Sequence, residues 1–468
     1  MKDHPDCVPN PPSAGPACRG PHVLIVGGGA SGVLAAAHLL RAAPSAHVTV
    51  VEPNDRLGAG LAYATADRTH LLNVCAGRMS ALADDPGHFL GWLARQGQDD
   101  DAGRFVPRRV YGAYLADLLT PWRTTRQPRV RHIRSVCVDL AAGPQGITAT
   151  LADGSTLCAD HAILATGHTL PQAVAQVDPP GPSATAETTP QGGRVLILGT
   201  GLTMVDHVLS LLDQGFCGQI TAVSRRGLLP MAHRPATALP LVAGDIPIGL
   251  PVSRLCRWLR DLARLAEHRG GTWRDAMEAL RPQTQRIWRN MSEAERARFL
   301  RHGQRWWDIH RHRMPPSSEL RLRAALDSGQ LGIVRAEVVS VGELAGGVTA
   351  LIRPFGGSEL QALRADRVLD ARGLRWNPSR SPLLAQLLAQ GTIRVGPLGL
   401  GLDLSAESAV IGADGRSSDR IWSIGPPARA AFWEITAIPD IREQAARLAA
   451  HLAGTVTTDA RLPGRSSG

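Results

Sequence analysis

Gly27, Gly29 and Gly32 stand in the pattern G-x-G-x-x-G, and Glu52 follows the last of them by about 20 residues. Together these residues can hold a pyrophosphate and a ribose. The first glycine permits a tight turn, the second lets phosphate approach the backbone, and the third lets the next helix close on its strand. The phosphate charge, with Ser31 beside it, then meets unpaired N–H groups at the positive end of that helix. Glu52 is placed to accept hydrogen bonds from ribose hydroxyls. A second set lies downstream. Gly199 and Gly201 repeat the turn, Met204 takes the third position, and Arg225-Arg226 stand where the first set has its acid. Guanidinium groups suit a 2′-phosphate, which a carboxylate would repel.

Such residues act only if strands and helices bring them together. His22–Val26 is a short apolar run that reads as a strand buried on both faces. Residues 33–43 read as the helix after the turn, and His47–Val51 as the second strand. The order recurs as a strand at Arg194–Leu198, a helix over 202–212 and a strand over 220–223. A strand over 159–165 emerges at Ala165-Thr166-Gly167, where small residues admit a ligand close to the backbone, and residues 366–373 echo it. A closing strand over 420–424 reaches Gly425, and Glu434 and Thr436 precede a last helix running to 452. Residues 108–115 read as a helix whose Tyr111 and Tyr114 belong to the core. Residues 251–329 are helix-rich, and their His310 and His312 lack neighbours at ligand spacing, so no metal is expected there.

A chain of 468 residues exceeds one ordinary core, and the predicted fold class is α/β. Two Rossmann-type dinucleotide-binding domains are expected, the second inserted in the first, with a helix-rich segment. The expected division is a disordered leader (1–20), a first domain (21–190), the inserted domain with its helical extension (191–330), the returning part of the first domain (331–454) and a disordered tail (455–468). Residues 171–193, rich in Pro, Thr, Ala and Gly, read as a linker. The net charge of +10 is mostly dispersed arginine, and the basic stretch 296–323 reads as a solvated helical face rather than a nucleic-acid surface. No apolar run is long enough for a membrane span or a signal core. Seven cysteines with no C-x-x-C argue against dithiol chemistry, and a reducing cytoplasm is the expected compartment. Two adenine dinucleotides side by side imply electron transfer between FAD on the first turn and NADPH on the second, with NADH as the alternative.

Several segments carry a family resemblance: Gly27–Gly32, Gly60-Leu-Ala-Tyr63, His70-Leu-Leu-Asn73-Val and Arg78-Met-Ser80, then residues 199–206, 224–230, 306–314 and 433–439. The chain resembles the FAD/NAD(P)-binding oxidoreductases that include a two-Rossmann FAD-dependent urate hydroxylase. Ala165-Thr-Gly167 is similar to a motif of amine N-hydroxylating and Baeyer–Villiger monooxygenases. The resemblance implies an FAD-dependent, NAD(P)H-using monooxygenase acting on a small molecule with O2 through a C4a-hydroperoxyflavin. Urate hydroxylation to 5-hydroxyisourate is the leading expectation. Amine N-hydroxylation is the alternative, as is an NAD(P)H:acceptor reductase without oxygen insertion. His70 and Asn73 are the expected ring-side groups; Glu434 and Thr436 are expected at the pyrimidine edge, and Thr166, Gly167 and Gly425 along the cofactor. Ala430-Ala431 and Ala371-Arg-Gly373 depart from the family pattern.

Overall fold

The computed structural model describes residues 20–168, 192–344, 347–373 and 376–459. Almost all of the predicted leader, most of the linker and residues 460–468 of the tail lie outside the described residues. The strands before the linker are β1 (His22–Val26), β2 (His47–Val51), β3 (Val130–Ile133), β4 (Cys137–Gly143), β5 (Gly146–Leu151), β6 (Thr156–Ala159) and β7 (His161–Leu164). Those after it are β8 (Arg194–Leu198), β9 (Gln219–Ser224), β10 (Leu331–Leu344), β11 (Gly347–Pro354), β12 (Gln361–Ala365), β13 (Arg367–Asp370), β14 (Ala409–Ile411) and β15 (Ser417–Ser423).

Two six-stranded sheets result, with β4, β5 and β6 forming a separate antiparallel meander. The first sheet runs β14-β15-β7-β1-β2-β3, parallel throughout except for β14. The apolar run of β1 is central and buried, as a parallel strand covered on both faces must be. The helix Ala30–Ala42 is buried over most of its length, and its Leu34 and Ala37 share one core with Ile441, Ala445 and Leu448 of the last helix, Ile438–Asp459. Tyr111 and Tyr114 are fully buried in the same core. The last helix extends beyond the expected end at 452, to Asp459, so the tail does not begin at 455.

The second sheet runs β12-β11-β10-β9-β8-β13. Here β13, β8, β9 and the start of β10 are parallel, while β10, β11 and β12 are antiparallel. This corrects the expected boundary at 330/331. Strands β10 to β13 belong to the inserted unit, because Leu331–Arg335 register on Ile220–Ser224 and Arg367–Asp370 on Val195–Leu198. The chain rejoins the first sheet only through β14 and β15. Between β9 and β10 lies the helical excursion, from Val252–His268 to Pro316–Asp327.

The two sheets repeat one construction. In each, the first Rossmann strand has the second on one side and a later parallel strand on the other, so the glycine turn crosses a topological switch point. Gly27 N–H donates to the Val51 carbonyl at 2.9 Å, and Gly199 N–H to Val223 at 2.8 Å. Both glycines have positive φ, +104° and +113°. A Cβ on Gly27 would collide with the Ala165 carbonyl, and one on Gly199 would stand 2.5 Å from that of Ala371. Gly201, in contrast, has ordinary dihedrals and no atom within 4 Å of its Cβ position. Gly199→Ala is therefore expected to destabilise the fold by more than about 1 kcal/mol, whereas Gly201→Ala leaves it unchanged. Paired denaturant melts check the contrast, and equal midpoints would refute it.

Candidate active site

At the first turn, each glycine has a separate reason. Gly32 must lack a Cβ because the Gly27 carbonyl lies against it, which draws the helix onto β1. Gly28 is hemmed in by Leu57 and Glu52. Gly29 would place its Cβ 3.4 Å from Gly60 Cα, an ordinary contact, so its neighbours leave room for a small group. The helix beginning at Ala30 has no side-chain cap and no acid in its first turn, leaving its first N–H groups available to an anion. Glu52 is held at the end of β2, its Oε2 accepting from Gly28 N–H at 2.9 Å and its Oε1 from Asn54 Nδ2 at 2.6 Å. Thr166, at the exit of β7, has a buried Oγ1 with no hydrogen-bond partner among the described residues. Gly425 (φ +72°) lies against the Ser31 side chain and donates its N–H to Gln444 Oε1 at 3.0 Å. An open anion cradle, a fixed carboxylate and an orphaned hydroxyl fit a dinucleotide.

The second turn has the same openness at Gly201 and another uncapped helix, Leu202–Asp213. Met204, in place of the third glycine, is fully buried. Thr200 Oγ1 donates to the Leu228 carbonyl at 2.6 Å and lies 2.9 Å from Ser224 Oγ, which also accepts from Gly227 N–H. These bonds fold the loop after β9 back beside the turn. Arg225 is exposed and Arg226 half-buried there, and neither makes an ion pair among the described residues.

His70 and Asn73 both join the two units. The buried His70 has Nδ1 2.9 Å from Thr65 Oγ1 and Nε2 2.9 Å from Ser210 Oγ, on the helix Leu202–Asp213. Ser210 Oγ donates to Asp67 at 2.5 Å. Arg108 donates to Asp206 on the same helix at 2.7 Å, although burial still raises the Asp206 carboxyl. The Asn73 carbonyl lies 2.9 Å from His233 Nε2, and burial brings that imidazole down to about 4. No local pattern announces these links, because each partner lies about a hundred residues or more away along the chain.

Glu434 lies in the loop after β15. It is 5% exposed with φ +66°, and accepts from Trp307 Nε1 and from Arg311 Nε, the latter at 3.0 Å. Thr436 is exposed. The helix Gln304–Arg311 thus faces the loop after β15 and forms a charged cluster above the exits of β7 and β15. Arg311, 7% exposed, has its Nη2 3.8 Å from Asp440 and without a hydrogen bond. Burial lifts Asp308 to about 6 despite Arg305 and Arg429. Burial, and then Arg429, brings His168 down to about 4. Trp288 locks the excursion in place, donating to the Ala430 carbonyl at 2.9 Å and stacking on Trp433. Asp308, Arg311, Arg429 and His168 were not among the expected site residues. The sequence signal for three of them was proximity, Asp308 and Arg311 lying within 306–314 and His168 just after Gly167.

Two sheets, each with a parallel run of strands and a glycine turn at its switch point, define a two-Rossmann α/β protein. Residues 24–169 match the profile of the FAD-NAD(P)-binding family. A comparison with curated protein sequences finds no match. Among solved structures, the chain is similar to the ornithine N-hydroxylase of Kutzneria sp. 744, with TM-score 0.65 and 14% identity over 94% of this chain and 100% of that one. It is similar to the L-lysine 6-monooxygenase of Pseudomonas syringae, with TM-score 0.65 and 15% identity over 93% of this chain and 99% of that one. It is also similar to the FAD-bound cadaverine monooxygenase of Erwinia amylovora, with TM-score 0.65 and 12% identity over 92% of this chain and 94% of that one. At these identities the likeness establishes the fold.

The buried imidazoles carry a pH dependence. As pH falls from 6.5 toward 4, the unfolded chain binds protons that His168 and His233 refuse while folded, so stability falls across that window. Asp308 acts oppositely, since at about 6 it takes up a proton in the folded state before it would unfolded. His233→Gln retains an N–H donor toward Asn73 and removes one titrating group. Denaturant melts between about pH 7 and about pH 4.5 should show a shallower decline for this variant; an unchanged slope would refute the assignment.

Proposed function

We propose that this protein is an FAD-dependent, NADPH-using monooxygenase that hydroxylates the nitrogen of a small amine. The observation that carries the reading is the pair of open glycine cradles, one beside a fixed carboxylate and the other beside free arginines. On it rest FAD at Gly27, Gly29, Ser31, Gly32, Glu52, Thr166, Gly167 and Gly425, and NADPH at Gly199, Gly201, Arg225 and Arg226. When bound, FAD supplies oxygen activation and NADPH the hydride. The chain's own residues bind, orient and exclude water. The excursion held by Trp288 closes over the exits of β7 and β15, the end of an α/β sheet at which ligands bind. There Glu434 is occupied by Trp307 and Arg311, whereas Asp308 makes only the 3.7 Å ion pair with Arg305 among the described residues. Asp308 is accordingly the carboxylate available to an incoming ammonium. His168, kept neutral by burial, adds no competing positive charge.

Amine hydroxylation takes precedence over urate hydroxylation because the whole-chain neighbours named above are amine hydroxylases; urate rests on the segment resemblance alone. Two measurements test the proposal. Gly29→Ala should fold normally, since its Cβ meets only Gly60 at 3.4 Å, yet lose bound flavin; full flavin content would refute the first site. FAD-loaded protein should oxidise NADPH faster with ornithine, lysine or cadaverine than with urate, yielding hydroxylamine and consuming O2. Stimulation by urate alone would restore the urate reading, and turnover only with an artificial acceptor would make the protein a reductase.

A further inference from the structure

We propose that Arg335 and Phe355 complete the second cradle as the binding site for a 2′-phosphorylated adenosine, Arg335 taking the phosphate with Arg225 and Arg226 and Phe355 stacking on the purine. The inference rests on the NADPH reading of that cradle and names residues outside both the glycine turn and the loop after β9.

Topology directs the search. With the pyrophosphate over the turn after β8, the ribose reaches the end of β9, and the base extends toward the next strand, β10. The last paired residue there is Arg335, in register with Ser224. Register partners on adjacent strands project to the same side of a sheet. Ser224 turns its hydroxyl to Thr200 of the glycine turn, so Arg335 projects on the turn's side. Its Cβ lies 3.5 Å from the Cβ position of Gly227, against the loop that carries Arg225 and Arg226.

Charge supports the assignment. Nearby arginines of the same sheet are neutralised: Arg353 by Glu337 at 2.5 Å, Arg372 by Asp370 at 2.6 Å and Arg194 by Asp366 at 3.5 Å. Arg225, Arg226 and Arg335 make no ion pair among the described residues. Three guanidiniums without a carboxylate partner suit a dianionic phosphate, which accepts several charge-assisted hydrogen bonds.

An aromatic ring completes the site. Phe355 N–H donates to the Arg335 carbonyl at 3.0 Å, and the Arg335 guanidinium sits 3.1 Å from the Phe355 ring centroid. The ring is nonetheless 64% exposed. A large apolar ring held at the surface by a cation offers a flat partner for a purine.

The test uses the full chain and two fragments, 2′,5′-ADP and 5′-AMP, titrated calorimetrically so that turnover is not needed. Wild type should bind 2′,5′-ADP more tightly than 5′-AMP. Arg335→Ala should weaken 2′,5′-ADP by about tenfold more than it weakens 5′-AMP. Phe355→Ala should weaken both fragments by a similar factor, and the Arg225→Ala/Arg226→Ala double variant should resemble Arg335→Ala. Both single changes lie on exposed side chains, and a melting curve checks that each variant is folded. Tight 2′,5′-ADP binding by wild type that Arg335→Ala or Phe355→Ala leaves intact would overturn this inference alone. A wild type that binds neither fragment would overturn the NADPH reading and this inference with it.

Discussion

The architecture depends on a backbone collision avoided twice. Gly27 and Gly199 press against the carbonyls of Ala165 and Ala371, each where a parallel strand leaves its sheet. Only a residue without Cβ, able to take φ above +100°, lets the turn and the strand exit share that space. Everything functional in the first unit is measured from this contact. It brings Thr166 beside the turn, sets the helix at Ala30 so that its N–H groups point outward, and leaves Glu52 within reach of Gly28. In the second unit the same contact sets Arg372 and the loop of Arg225 and Arg226 around an equivalent opening.

Above the first turn, electrostatics takes over from packing. Glu434, Asp440 and Asp308 meet Arg311, Arg429 and Arg305 in a space closed by Trp288, Trp307 and Trp433. Burial acts on the members unequally. Glu434 is satisfied by two donors, whereas Asp308 has one distant partner and is lifted to about 6. Two carboxylates of one cluster thus differ in the number of donors they meet.

Much of the fold was legible because local patterns encode local structure. The run His22–Val26, the glycines after it and the strand ending at Glu52 form one contiguous βαβ unit, and the downstream copy reads the same way. Ala165-Thr166-Gly167 and Ala371-Arg372-Gly373 were recognisable as echoes, and both occupy the same place against a glycine turn. The allegiance of β10 to β13 was not legible. Hydrophobic pattern marks a strand, but register with Ile220–Ser224 and Val195–Leu198 decides which sheet it joins. The hydrogen-bond partners of His70, Asn73 and Glu434 were not legible either. Their partners, Ser210, His233, Trp307 and Arg311, arrive from another part of the chain.

The seam between the two units has a consequence for how such a chain can change over generations. His70 meets Ser210, Arg108 meets Asp206, the Asn73 carbonyl meets His233, and Glu278 of the excursion is shared by Arg78 and Arg313. Cutting at the points where the chain enters and leaves the second sheet would expose a half-buried carboxylate on one fragment and its guanidinium on the other. The inserted unit is therefore not an exchangeable cassette, whatever its Rossmann outline. A lineage altering its nucleotide preference is confined to point changes at Arg225, Arg226 and Arg335, which take no part in the seam contacts named above.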